Sequence, residues 1–555
     1  MLHFDLPELN SHTTPLFNSA QGCKTWIAAL PLANTLEAHR QLQDVLEHLN
    51  RVPISCLERL KILEVARETA AYLQDELVKR FAGKPIPLKP VEHSAWADMV
   101  ELWRVVEANY LRCFVESQNN KETSAYLPLI TQRCLRYISL QMLAHNLGYA
   151  KPPAGLWSRL HALYRFSEQN EYATAKVKDS LDGGEKVSTC GVTFVRALLM
   201  DAAVPAELSA KHILLTDHLL QLWAPRTLVK STQPLSTGFP ALACDLSLDA
   251  GLLPPPYKQD IPTLRYIDRE ALASVMKKSA KGLQKGESVA SLGLPEIASV
   301  AEYVSLVKQL YVHWCDTSRL PITVFKSPNS ATAQICFSIP GLHFHMSGKP
   351  FRQPDKPSDL SRLEIEDIKI FGHVRKETQT AMVGDMAFSG ETWHVRGETM
   401  DRIQMLRPLE CHQGLSHSQL VGVRLSPQSR IIIGQIKSMS NDETGITIVV
   451  QLLPGKPLPV AVREAGAGHL SYTPAVLMIA ATHEAKPSLL LPAGVHPVGK
   501  RMEVFADNLY VVRLESLVTR GADFEQVAFI AADSVVATTL QRPAAGTNTE
   551  ARRIF

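Results

Sequence analysis

Across 555 residues the sequence has no CxxC pair, no long apolar run and almost no excess of charge of either sign. Each absence excludes something. The first residues, MLHFDLPELNSHTTPLF, have neither a basic nor an apolar signal region, so no secretory leader is expected. The longest apolar stretch, Pro474–Thr482, falls far short of the roughly 20 residues that a membrane-spanning helix needs. Nine scattered cysteines in a chain without a leader read as reduced core residues in a cytoplasmic protein. A net charge of +3, from 58 Lys and Arg against 55 Asp and Glu, argues against binding a nucleic-acid polymer, which needs a concentrated basic face. A local group of arginines escapes that test. The motifs GxSxG, HExxH and GxGxxG and a complete P-loop are all missing, so no enzyme and no cofactor are expected.

Two near-motifs are weighed against plainer readings. Gly184-Glu185-Lys186-Val187-Ser188-Thr189 resembles the end of a phosphate loop, but the spacing is wrong, and a turn before a helix is the better account. His343 and His345 fall on one face of an expected strand, Leu342–Met346. No third ligand lies at a recognisable spacing, so no metal site is expected. Trp157 and Tyr164 read as core, and Arg552-Arg553 as a solvated tail.

What the chain does have is helical grammar, followed by strand grammar. Hydrophobic residues at 45% and charged residues at 20% suit a globular protein of about two to four domains. Residues 1–30 read as an irregular lead-in. Asn34 with Glu37, and Ser55 with Glu58, each resemble a capping box, whose side chains satisfy unpaired N–H groups. Leu42, Val45, Leu46 and Leu49 follow the first, and Leu60, Leu63, Ala70, Leu73, Leu77 and Phe81 the second, all at helical spacing. Arg67, Glu68, Gln74 and Lys79 fall off that apolar face. The pattern continues, and residues 30–228 are expected to form an all-α bundle or an array of helical hairpins; no strict 34-residue repeat is present. Residues 229–315 read as a linker segment with two helices, opened by Asp268 and by Pro295.

From residue 316 the pattern is β. Short strands are expected at Gln334–Ile339, Ile368–Val374, Thr392–Arg396 and Ile403–Leu406. The β-branched runs Leu420–Leu425, Ile431–Ile436 and Ile446–Leu453, cut by turn residues, signal consecutive antiparallel strands of a small barrel over 316–464. Residues 465–535 add further strands, and 536–555 read as a flexible tail. The expected class is α+β multidomain, with an N-terminal helical bundle and a C-terminal antiparallel β-barrel.

One resemblance covers most of the chain. The block TWHVRGETMDRIQMLRP around Trp393, then Gly414–Leu425, Ile431–Ser438 and Ile446–Leu453, resembles the later strands of a PilZ-like barrel. Ile433-Gly434-Gln435-Ile436 and Val449-Val450-Gln451-Leu452-Leu453-Pro454 stand where two of those strands belong. The layout is similar to large bacterial PilZ-like proteins with a helical N-terminal region, through Leu30–Asn34, Leu49–Arg51, Arg59-Leu60, Leu63-Glu64, Pro487–Gly494 and Asp523-Phe524.

The resemblance implies cyclic di-GMP as ligand. In that family an RxxxR element at the barrel mouth supplies guanidinium groups for phosphate oxygens or the guanine edge, and a [D/N]xSxxG element supplies acceptors and a hydroxyl. Here Arg319 is followed four positions later by Thr323, and Gly397-Glu398-Thr399-Met400-Asp401-Arg402 stands in place of the second element. The residues it points to are Arg319, Arg396 and Thr399, with Arg375 and Arg402 as compensating cations. The function implied is a non-enzymatic bacterial regulatory or adaptor protein, a cyclic di-GMP effector linked to pili, motility or adhesion, with protein partners met through the helical region. The alternative is a nucleotide-independent scaffold with the same fold.

Overall fold

The computed structural model describes residues 4–10, 12, 14–182, 187–233, 242–253, 261–316, 325–326, 331–354, 362–373, 390–408, 411, 413–480, 486–494 and 498–531. The chain forms two compact units, Met1–Ile322 and Thr323–Phe555.

In the first unit, α1 (Ala20–Ala28), α2 (Thr35–Leu49), α3 (Cys56–Phe81), α4 (Pro90–Ser117), α5 (Leu127–Leu147) and α6 (Leu156–Gln169) follow one another through short connections. The expected caps form. Glu37 N donates to Asn34 Oδ1 and Glu58 N to Ser55 Oγ, starting α2 and α3. A short hairpin, β1 (Val177–Lys178) and β2 (Val187–Ser188), leads to α7 (Cys190–Ala202), which Thr189 caps by accepting from Val192 N. Thus Ser188 and Thr189 of the near-phosphate-loop motif end a strand and start a helix; Gly184 to Lys186 lie outside the described residues. Next come α8 (Ala210–Trp223), the three-stranded sheet of β3 (Leu228–Lys230), β4 (Leu242–Asp245) and β5 (Leu264–Asp268) in the order β3-β5-β4, and α9 (Glu270–Gln284) and α10 (Val300–Trp314).

Three expectations change here. The lead-in contains α1, whose buried Cys23 packs in the helical core; Gly22 and a single buried residue left no periodic signal. The segment 229–315 is not a linker. Leu272, Met276, Tyr303, Leu310 and Trp314 join the same hydrophobic core as α2 to α8, and Trp314 Nε1 donates to Leu199 O at 2.7 Å. Finally, α10 begins at Val300 rather than Pro295, because Ser299 and Glu302 form a reciprocal capping box.

In the second unit, β6 (Thr332–Phe337), α11 (Ile339–Ser347), α12 (Arg362–Phe371), β7 (Glu391–Glu398), β8 (Arg402–Arg407), β9 (Leu420–Arg424), β10 (Ile432–Asp442) and β11 (Gly445–Leu452) build a closed antiparallel barrel in the order β6-β7-β8-β11-β10-β9. Then β12 (Lys456–Glu464), β13 (Thr473–Ile479), β14 (Ser488–Pro492), β15 (Arg501–Phe505), β16 (Leu509–Arg520) and β17 (Phe524–Ala531) close a second, in the order β12-β13-β14-β17-β16-β15. Numbered from its own first strand, each barrel runs 1-2-3-6-5-4. The second barrel is a topological copy of the first. The residues expected as additional strands therefore form a complete barrel, and β12, assigned by sequence to the first, pairs instead with β13 and β15. The turn Pro454-Gly455 ends the first barrel ten residues earlier than position 464. Residues 536–555 lie outside the described residues.

Two expected strands are helices. Leu342–Met346 lies in α11: Ser338 Oγ accepts from Gly341 N, Pro340 sits in the first turn where its missing N–H costs nothing, and Gly348 ends the helix at φ +70°. His343 and His345, two apart on a helix, no longer share a face. Likewise Ile368 to Phe371 belong to α12, which Gly372 ends at φ +72°. α11 packs against β6 and β9 of the first barrel and β12, β13 and β14 of the second. Cys336, Ile339, Leu342, Leu420, Ile431 and Ile433 meet Val476, Met478, Leu490 and Phe524 in one apolar seam. Across that seam Leu420 N donates to Asp523 Oδ1 at 2.9 Å and Ala522 N to Ser418 O at 3.0 Å.

Candidate functional site

Strand alternation sets the mouth of the first barrel. Along β7, Trp393, Val395 and Gly397 are buried, while Thr392, His394 and Arg396 are exposed. The β7–β8 pairing skips a residue between Val395 and Gly397, so Arg396 is the extra residue of a β-bulge. Bulges re-aim side chains, and the Arg396 guanidinium stands in solvent.

Three residues on, Thr399 opens the β7–β8 turn. Thr399 N donates to Arg402 O at 2.8 Å, Arg402 N donates to Thr399 Oγ1 at 2.9 Å, and the hydroxyl donates to Asp401 Oδ1 at 3.0 Å. The hydroxyl thus closes the turn. Gln451 of β11 locks the turn to the barrel: its Nε2 donates to Asp401 O and Oδ2, both at 3.0 Å, and its Oε1 accepts from Arg402 Nε at 2.9 Å. The Gln451 amide, against slight burial and helped by the Thr399 hydroxyl and Arg402, holds the Asp401 carboxyl below the usual range.

The segment that precedes β6 reaches the same edge. Lys326 N donates to Glu398 O at 3.0 Å and Glu398 N to Lys326 O at 3.2 Å, one residue before Thr399. Gly397 makes that approach fit, since an added Cβ would lie 2.7 Å from Phe325 Cβ. Arg319, Thr323 and Arg375 lie outside the described residues. The edge therefore gathers Arg396, Arg402, Lys326 and the Thr399 turn. It offers cations for phosphate oxygens or a guanine edge. Among the described residues no group of three metal-ligating side chains forms.

Sequence reasoning missed a buried polar network in the helical unit. Arg67 and Gln74, read as off the apolar face, are both buried. Arg67, Arg133 and Arg136 converge on the fully buried Asp179, at 2.7, 3.3 and 3.2 Å, and Arg133 also holds Glu64. Burial alone would raise the Asp179 pKa; Arg136, Arg133 and Arg67 outweigh it and drive it far below the usual range. The partners lie 43 to 112 residues apart, so no local pattern marks them. Beside this network is a cavity of about 130 Å³ lined by Arg136, Thr193, Arg196, Trp157, Asp201 and Asp217, among others. Ligand pockets typically measure about 300–1,000 Å³.

The fold and the mouth define the class: an α+β multidomain protein in which a helical unit precedes antiparallel barrels with a cation-bearing rim. Residues 21–233 match the family described as "Cyclic-di-GMP receptor FimW, N-terminal domain". The chain is also 23% identical, over 338 residues, to the cyclic-di-GMP receptor FimW of Pseudomonas aeruginosa strain PAO1, covering 60% of this chain and 54% of that protein. It thus spans about half the length of the curated relative that it matches. No solved structure matches. The chain is accordingly similar to a cyclic-di-GMP receptor-type protein with a helical N-terminal region. No helix among the described residues is long and apolar enough to cross a membrane.

Proposed function

We propose that the protein is a cytoplasmic, non-enzymatic effector of cyclic di-GMP. The first barrel's mouth receives the dinucleotide, and the helical unit engages protein partners that act on pili, motility or adhesion. The carrying observation is the meeting, at one barrel edge, of exposed Arg396, the Thr399–Arg402 turn and the docked Phe325-Lys326 segment. The similarity to a protein named a cyclic-di-GMP receptor points the same way. Arg319 and Arg396 supply guanidinium groups to phosphate or guanine, and Thr399 acts by shaping the turn. Isothermal titration of the full chain with cyclic di-GMP tests this. Arg396→Ala is expected to weaken binding by about tenfold to a hundredfold, the value of one charged hydrogen-bond contact, with an unchanged circular dichroism spectrum. No heat at millimolar ligand from a folded sample removes the receptor reading.

A nucleotide-independent scaffold is the second reading. It is favoured by the commitment of the Thr399 hydroxyl and of Arg402 Nε to contacts within the barrel. Partner capture that is indifferent to cyclic di-GMP supports it.

A further inference from the structure

The outer wall of the second barrel brings two arginines face to face. Arg501 of β15 stands directly opposite Arg513 of β16, and both side chains are exposed. Directly opposed residues on neighbouring antiparallel strands have Cβ atoms about 4.5–5.5 Å apart, and like charges there repel.

Carboxylates on the same face could relieve the repulsion. Side chains alternate along a strand, so Glu503 shares the face of Arg501, while Glu515, two residues past Arg513, is the extra residue of a β-bulge against β17. Both are already committed. Glu503 Oε2 accepts from Arg463 Nε at 2.7 Å and from the Tyr472 hydroxyl at 3.0 Å, and the Arg463 guanidinium lies 4.2 Å over the Tyr472 ring. Burial works against the charge on Glu503, but these bonds outweigh it and hold its carboxyl below the usual range. Glu515 accepts from Lys486 at 2.8 Å, and Glu464, at the end of the neighbouring strand, from Lys500 at 2.9 Å. Each carboxylate is matched to a cation other than Arg501 and Arg513. Neither of these two arginines forms an ion pair with a described residue.

We infer that Arg501 and Arg513 together form an oxyanion site for a phosphoryl group on the wall of the second barrel. Each guanidinium presents a planar fork of N–H donors that matches two oxygens of a phosphoryl group. A group carrying two negative charges neutralises both arginines, which a single carboxylate cannot do. The neighbouring ion pairs hold the competing carboxylates away. Exposure keeps the site weak, with a dissociation constant of about a millimolar expected from screened contacts. The site lies on the opposite barrel from the mouth described above and stands whether or not that mouth binds cyclic di-GMP.

The experiment uses the full chain and pyrophosphate as probe, followed by phosphorus NMR line broadening at ionic strength matched with sodium chloride. Wild type is expected to broaden the signal saturably. Arg501→Gln and Arg513→Gln should each weaken binding at the second barrel at least tenfold, and the double variant should abolish that component of the broadening. In chloride alone each single variant should melt at the same temperature as wild type or higher, since the repulsion is relieved. Arg396→Ala should leave unchanged the part of the broadening that Arg501→Gln and Arg513→Gln remove, which separates this site from the first barrel. Competition by inorganic phosphate, cyclic di-GMP and phosphatidylglycerol vesicles identifies the source of the phosphoryl group. Undiminished binding by the double variant, no broadening by wild type, or a lower melting temperature of the single variants in chloride would overturn the assignment.

Discussion

His161 lies fully buried between Trp157 and Phe194, its Nδ1 3.0 Å from Leu248 O and its Nε2 without a partner among the described residues. Burial, stronger than the help from the Leu248 carbonyl, Asp249 and Asp245, pushes its pKa down to about 4. The unfolded chain takes up a proton near pH 6.5 that the folded chain refuses until about pH 4. Stability therefore falls as pH drops through this window and levels off below it, by about 3 kcal/mol for this residue. His39 and His145, also lowered mainly by burial, add to the same trend. Urea unfolding of the helical signal at pH 7 and pH 5 should show the loss in wild type, and a smaller loss in His161→Phe. Equal losses would exclude His161 as a source. Such burial was not legible in sequence. Trp157 and Tyr164 were placed in the core by periodicity, and His161, one helical turn from each, shares their face, but nothing local says that its imidazole is stripped of water there, or that Arg67 meets Asp179. The same limit applied at the candidate site. The bulge that exposes Arg396 and the use of the Thr399 hydroxyl both depend on pairing with β8.

At the scale of elements, amphipathic helices with side-chain caps and β-branched strands were legible, because caps and alternation are written within a few neighbouring residues. α2, α3, β9, β10 and β11 fall within a residue or two of their expected cores, or extend them. α11 was not legible: Leu-His-Phe-His-Met alternates as a strand would, and only Ser338, Pro340 and Gly348 mark a helix. Its position depends on β9 coming close beneath it. A Cβ added at Gly422 would lie 2.4 Å from Leu342 Cδ2 and 2.6 Å from Cys336 Sγ, inside the seam. Gly422→Ala is therefore expected to destabilise the second unit by about 1–3 kcal/mol, the cost of overpacking, measured as a lower denaturation midpoint with an unchanged slope. An unaltered midpoint would mean that α11 yields without cost.

At the scale of the molecule, two barrels of the same strand order share a seam closed by α11 and by the hydrogen bond from Leu420 N to Asp523. Burial of Asp523 raises its pKa, against the stabilising Leu420 N–H. Asp523→Ala leaves that N–H buried without a partner, at a cost of about 1–3 kcal/mol. Calorimetry of the full chain should show the β-rich transition at lower temperature, and limited proteolysis should cut faster near Pro454-Gly455, where the barrels join. Wild-type behaviour in both measurements would show that the barrels are not coupled through this contact. The duplication went unread because the two barrels share topology and not a visible sequence repeat.

The sequence by itself determined the α-then-β order, the caps, the strand cores and the absence of a membrane helix among the described residues. These follow from periodicity and side-chain chemistry over a few residues. Only the tertiary structure decided that residues 229–315 belong to the helical core, that β12 starts a second barrel, that the Thr399 hydroxyl serves a turn, and that Arg501 faces Arg513. Each of these depends on which distant segment becomes the neighbour. Strand register and core packing are settled by the whole set of contacts at once, because a shift of one residue exchanges the buried and exposed faces of a strand.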